Sequence, residues 1–190
     1  GSATATGTIV NDDVAPPPVL ASVTCVSSVT ANEGEPLQFE VVLSEASTVT
    51  TNVTLNLTNG TATGGQDFAT TGIQVSFNGG QTWQTINSNS VDVPAGSKSL
   101  LVKVTGIEDS VYEGPSEAFT LSATANGGTA SGIGTICEND AAPKVLSISD
   151  ASASEGDTLS FHVALTGASS TQTTVNLALA NGTADASDYR

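Results

Sequence analysis

The chain repeats itself, and the length of the repeat limits what it can fold into. Glu33-Gly34-Glu35-Pro36-Leu37-Gln38-Phe39 recurs as Glu155-Gly156-Asp157-Thr158-Leu159-Ser160-Phe161. At the same shift Asn59-Gly60-Thr61-Ala62 returns as Asn181-Gly182-Thr183-Ala184, and Asp67-Phe68 returns as Asp188-Tyr189 after one deletion. A second echo links Gly7-Thr8-Ile9-Val10-Asn11-Asp12-Asp13 with Gly134-Thr135-Ile136-Cys137-Glu138-Asn139-Asp140. Together they define a unit of roughly 120 to 130 residues. Residues 1–13 then form the last strand of one copy, 14–141 a complete copy, and 142–190 the first half of the next. The joints Val14-Ala15-Pro16-Pro17-Pro18 and Ala141-Ala142-Pro143 carry proline and suit semi-rigid spacing.

Inside the complete copy the period is two. Leu37, Phe39, Val41 and Leu43 alternate with Gln38, Glu40 and Val42; Val53, Leu55 and Leu57 alternate with Thr54 and Asn56. Ile73, Val75 and Phe77 continue the pattern up to the hairpin signal Asn78-Gly79-Gly80. Leu100, Val102 and Val104, then Phe119 and Leu121, then Ile133 to Ile136 supply later strands. With 19 Gly, 7 Pro and no Met, the composition favours strands and turns over helices. About seven short strands and no helix make the expected fold all-β: an immunoglobulin-like Greek-key β-sandwich in tandem. Aromatic residues are only 4%, so each module gains modest stability from apolar burial.

Nineteen Asp plus Glu stand against 4 Lys plus Arg, a formal charge of −15. Phosphate binding runs on Lys and Arg, so nucleic acid is excluded as a partner. No run approaches the roughly 18 apolar residues of a spanning helix, so direct membrane insertion is not expected. The acids gather at strand ends: Glu33, Asp67, Glu108, Asp109, Glu113, Glu117, Glu138 and Asp140. Alternate connections of a sandwich emerge at one end, and clustered carboxylates with few bases repel one another unless a cation joins them. Oxygen donors in that number suit Ca²⁺, whereas one His and two Cys in different strands do not suit Zn²⁺. The plainer alternative is that these are solvated loop acids.

These residues also carry a resemblance. Asn32-Glu33-Gly34, Gly60-Thr61-Ala62 leading to Asp67-Phe68, the turn Ile107-Glu108-Asp109-Ser110-Val111-Tyr112-Glu113, the run Glu117-Ala118-Phe119 and the closing Glu138-Asn139-Asp140 resemble a Calx-β repeat. With Val93-Pro94-Ala95-Gly96 and Gly134-Thr135-Ile136, the repeat is most similar to the extender repeats of bacterial RTX adhesins. The resemblance implies Ca²⁺ held where repeats meet. It carries Glu33, Asp67, Glu108, Asp109, Glu113, Glu117, Glu138 and Asp140 over as ligands, with Asp12, Asp13, Glu155 and Asp188 at matching places in the flanking copies. Ser110 and Asn139 stand where the family usually has acids, and one to three ions per module are expected.

Cys25 and Cys137 fall in the first and last strands of one repeat, and their counterparts Ser147 and Val10 lack sulfur. Their joint presence favours a disulfide between adjacent strands, with two independent buried thiols as the alternative. His162 alternates with Phe161 and Val163 and faces solvent; with one His, no Ser-His-Asp set can be assembled, and no enzyme is expected. Two functional classes remain. The first is a secreted, cell-surface spacer whose partners are adjacent repeats bridged by Ca²⁺, projecting a distal adhesive domain in cell adhesion and biofilm formation. The second is a Ca²⁺-dependent module that itself binds a glycan or peptide. No leader is visible, and Gly1-Ser2 reads as a cloning remnant on an excised fragment. The half-copy at 142–190 is left with an open core, which residues 2–13 could complete by strand exchange within or between chains.

Overall fold

The alternating segments of the complete repeat become two sheets that face each other. The computed structural model describes residues 1–14, 16–185 and 187–189. The complete repeat carries β1 (Val23–Val26), β2 (Val29–Asn32), β3 (Pro36–Leu43), β4 (Thr51–Asn59), β5 (Gln74–Ser76), β6 (Gln84–Thr85), β7 (Ser90–Val93), β8 (Ser99–Thr105), β9 (Val111–Tyr112), β10 (Ser116–Ala125) and β11 (Gly128–Cys137). One five-stranded sheet has the order β1-β3-β8-β5-β6, the other β2-β11-β10-β4-β7. All of these neighbours are antiparallel except β2 and β11. Among the described residues there is no helix, and the fold is the immunoglobulin-like sandwich that the alternation predicts.

The core lies between the sheets. Leu37, Phe39 and Val41 of β3 and Val102 and Val104 of β8 join Val53 and Leu55 of β4 and Phe119 and Leu121 of β10, all buried. Each such side chain contributes about 1.5–3 kcal/mol by leaving water. Phe119 is stacked on Phe68 at 4.1 Å and meets Phe39 edge-on at 5.9 Å. Gly134 permits this packing, because a Cβ there would lie 2.7 Å from the Phe119 ring.

The first strand divides between the sheets at Ser27 and Ser28, which corrects the expected disulfide. Val23 lies against Gly128 and Ser27 against Gly132, so Cys25 runs beside the first half of β11. After the switch β2 pairs in parallel with the second half, where Cys137 stands opposite Asn32. At about 3.3 Å per residue the cysteines are separated by well over the roughly 7 Å Cα distance that a disulfide tolerates. Both thiols are free. Alkylation of the unfolded, unreduced chain should therefore add two labels in an intact-mass spectrum, and a mass that shifts only after reduction would contradict the placement.

Beyond the complete repeat, β12 (Val145–Ile148) and β13 (Val163–Leu165) form a two-stranded antiparallel sheet. β14 (Ala168–Ser169) pairs in parallel with β9 of the preceding repeat. Leu159 and Phe161 are 44% and 51% exposed, whereas their counterparts Leu37 and Phe39 are at 0%. The same sequence pattern is buried in one copy and open in the other, because only the first copy has a facing sheet. Residues 1–13 form no strand and are exposed, so residues 2–13 do not complete the half-copy within the chain.

Candidate metal centre

Four loops meet at one end of the sandwich and tie one another down. The β2–β3 turn uses Gly34 at φ +76°, with Glu35 N–H donating to the Asn32 carbonyl. That turn is fixed to β11 by Glu33 N–H to the Cys137 carbonyl, 2.9 Å, and to β8 by Gly106 N–H to the Glu35 carbonyl, 3.1 Å. The loop after β4 closes on itself through Thr63 N–H to the Asp67 carboxylate, and the Asp67 carbonyl accepts from Ile107 N–H at 2.9 Å. The β9 loop and the segment after β11 meet at Glu138. Its carboxylate accepts Glu113 N–H at 2.6 Å and Asp140 N–H at 2.7 Å.

Six carboxylates converge there as two triplets, Glu33 with Glu138 and Asp140, and Asp67 with Glu113 and Glu117. Within each triplet one oxygen per residue lies within 4.8 Å of the others. Glu33, Asp67, Glu113, Glu117 and Glu138 line a single cleft. Glu138 links the triplets, belonging to one and holding the backbone of the other.

The charges are under strain. Burial pushes the Glu33 carboxyl up to about 7, helped by Glu138, Asp109 and Glu108. Burial, followed by Asp67, Glu113 and Glu138, also pushes Glu117 up to about 7. Glu113 is raised by burial and Asp67, and Asp140 by burial and Glu138. Glu138 goes the other way: burial raises it, but the N–H groups of Glu113, Asp140 and Asn139 outweigh that and hold it below the ordinary range. The charged neighbours acting on the four raised groups are all acids.

The donor set fits a hard divalent cation. Every potential ligand is a carboxylate oxygen, neither triplet offers nitrogen or sulfur, and the enclosed Asp140 Oδ2 has no hydrogen-bond partner. Glu108 and Asp109 stand beside the triplets without joining either. Glu108 accepts a bond from Asn139 Nδ2 at 3.1 Å, and Asp109 accepts Val111 N–H at 2.7 Å. Asp12, Asp13, Glu155 and Asp188 are exposed and lie outside both triplets. Asn139, read in the sequence as a missing acid, is an organiser instead: its amide also donates to the Glu33 carbonyl at 3.3 Å.

A Calx-beta domain family model matches residues 22–138 and again 138–190. No curated protein matches the sequence. Among solved structures, CBD12 from CALX1.2 is similar at 16% identity over 62% of this chain and 46% of that one, with a TM-score of 0.45. A family 123 glycoside hydrolase from Clostridium perfringens is similar at 14% identity over 67% of this chain and 28% of that one, with a TM-score of 0.41. The chain thus spans less than half the length of either structure. With sandwich, tandem match and acid loops in agreement, the chain belongs to the Calx-beta domain family, a family of non-catalytic modules.

Proposed function

We propose that the chain is a Ca²⁺-binding structural repeat from the extended stalk of a secreted bacterial cell-surface adhesin. The observation that carries the cation reading is the pair of carboxylate triplets, five of whose six acids line one cleft, at the end of the sandwich from which the chain leaves for the next repeat. Glu33, Glu138 and Asp140 would hold one ion, and Asp67, Glu113 and Glu117 another. A bound cation supplies positive charge that cancels the repulsion between these acids and cross-links the loops carrying them. The chain's own part is to bring the acids together: Glu138 fixes two of the backbones, and Asn139 fixes a third. Because Glu138 and Asp140 lead directly into the Ala141-Ala142-Pro143 joint, ordering them stiffens the connection between repeats. A series of such joints makes a rod that projects a distal adhesive domain for cell adhesion and biofilm formation. The similarity of the repeat motifs to RTX adhesin extenders supports that setting.

Group-specific substitutions test the cation sites. Asp67→Asn with Glu117→Gln should remove one binding event from a Ca²⁺ titration and leave the other; wild-type uptake in that variant would overturn the assignment. Antibody raised against the chain should label unpermeabilised source cells, and labelling only after permeabilisation would contradict the cell-surface role.

A further inference from the structure

One device occurs in both repeats and lies outside the carboxylate cleft. After β3, the turn Ala46-Ser47-Thr48-Val49 grips a backbone carbonyl: Ser47 Oγ donates to the Val19 carbonyl at 2.7 Å and Thr48 N–H to the same oxygen at 3.2 Å. Val49 N–H reaches back to Ser47 Oγ at 3.4 Å. The matching turn after β13, Ala168-Ser169-Ser170-Thr171, repeats these three bonds, although Ser169 Oγ also lies 3.0 Å from the Thr171 carbonyl and the Val19 N–H to Thr48 Oγ1 bond of the first turn has no counterpart among the described residues. Ser169 Oγ donates to the Tyr112 carbonyl at 2.9 Å, Ser170 N–H to the same oxygen at 3.1 Å, and Thr171 N–H to Ser169 Oγ at 3.1 Å. The fold therefore carries a two-donor carbonyl clamp, and its guest differs between copies. In the complete repeat the guest is Val19, from the joint that precedes it; in the following repeat it is Tyr112 of the preceding module.

The second guest matters because of what surrounds it. Val111 N–H is held by the Asp109 carboxylate and Glu113 N–H by the Glu138 carboxylate, so acids secure both residues flanking Tyr112. Glu113 itself belongs to one of the triplets. The stretch Val111–Glu113 is thus tied to the carboxylate cleft and, through the Tyr112 carbonyl, to the next repeat.

We infer that the Ala168–Thr171 turn is a docking clamp for the Val111–Tyr112 edge of the preceding repeat, and that seating the clamp and binding a divalent cation at the cleft strengthen each other. The linkage rests on the cation reading above; the clamp does not. Fixing Tyr112 limits the positions open to Asp109 and Glu113, and ordering those acids limits the positions open to Tyr112. Linkage is reciprocal, so each event must favour the other by the same factor.

The test uses the full 190-residue chain. Amide exchange at Ser170 is read by NMR in chelator and in Ca²⁺, and Ca²⁺ affinity is read by calorimetry for wild type, Ser169→Ala and Ser47→Ala. Ser170 should be protected in chelator and more protected in Ca²⁺. Ser169→Ala should lose that protection and weaken Ca²⁺ binding about fivefold, at the lower end of typical couplings. Ser47→Ala, which alters the clamp on Val19, should leave Ca²⁺ affinity unchanged. Free exchange at Ser170 in wild type would overturn the clamp, and equal Ca²⁺ affinities in wild type and Ser169→Ala would overturn the linkage. If wild type takes up no Ca²⁺, the cation reading and the linkage fall together, while Ser170 protection that Ser169→Ala abolishes still supports the clamp.

Discussion

Millimolar Ca²⁺ should raise the melting temperature of the cation-free chain by roughly 15 °C. A site whose ligand is present at 1,000 times its Kd stabilises the folded state by about 4 kcal/mol, and a domain of this size gains about 4 °C per kcal/mol. The direction follows from the acids themselves. Glu33 and Glu117 sit at about 7 in the folded chain against an ordinary value of 4.5, so without a cation the folded state holds protons that the unfolded state has released. Stability from these groups is fully present below about pH 4.5, declines as pH rises towards 7, and is absent above it. The cation-free chain should therefore melt higher at pH 5 than at pH 8. Saturating Ca²⁺ needs the ionised carboxylates and should reverse that order. Thermal melts at both pH values, in chelator and in Ca²⁺, check this. A cation-free chain more stable at pH 8, with no gain from Ca²⁺, would contradict it.

The substitution Phe119→Ala should cost about 3–5 kcal/mol, the range for removing a buried aromatic ring. Phe119 is 1% exposed and touches Phe39 from β3 of the facing sheet and Phe68 from the loop after β4. With so few aromatic residues in the chain, little else can fill the space. The loss reaches the cleft as well, because Phe68 is stacked on Phe119 and follows Asp67 directly. Ca²⁺ affinity should fall along with the melting temperature. By contrast Ile133→Ala, at a position 52% exposed on β11, should cost far less. Urea denaturation of both variants measures the difference, and a Phe119→Ala loss below about 1 kcal/mol would show that this cluster does not hold the repeat together.

The strands whose side chains alternate across a buried face were legible in the sequence. Leu37, Phe39, Val41 and Leu43 are all buried, and the period of two leaves no other element for them. β7 was hidden, because Ser90–Val93 is short and follows a run of polar residues. The division of the first strand, in which the sequence places Cys25, was hidden too: nothing local marks Ser27 and Ser28 as the point where the chain changes sheets. That unseen switch is why Cys25 and Cys137 looked like neighbours. Convergence of the acid loops was legible from their positions at strand ends. Their sorting was not, since spacing cannot tell that Glu138 spends its oxygens on Glu113 and Asp140 N–H groups, or that Glu108 and Asp109 stand beside the triplets. The carbonyl clamp had a readable signal, the recurrence of Ala46-Ser47 as Ala168-Ser169, but a Ser in a polar turn says nothing of its guest until the backbone is placed.

The central claim is that the two carboxylate triplets bind Ca²⁺, and the most direct test is a calorimetric Ca²⁺ titration of the intact chain near pH 7, run in two buffers of different ionisation enthalpy. The expected result is saturable binding of two ions per complete repeat, one for each triplet. The heats should also differ between buffers, because Glu33 and Glu117, at about 7, release protons as the ions bind. No saturable heat at millimolar Ca²⁺ in either buffer would contradict it.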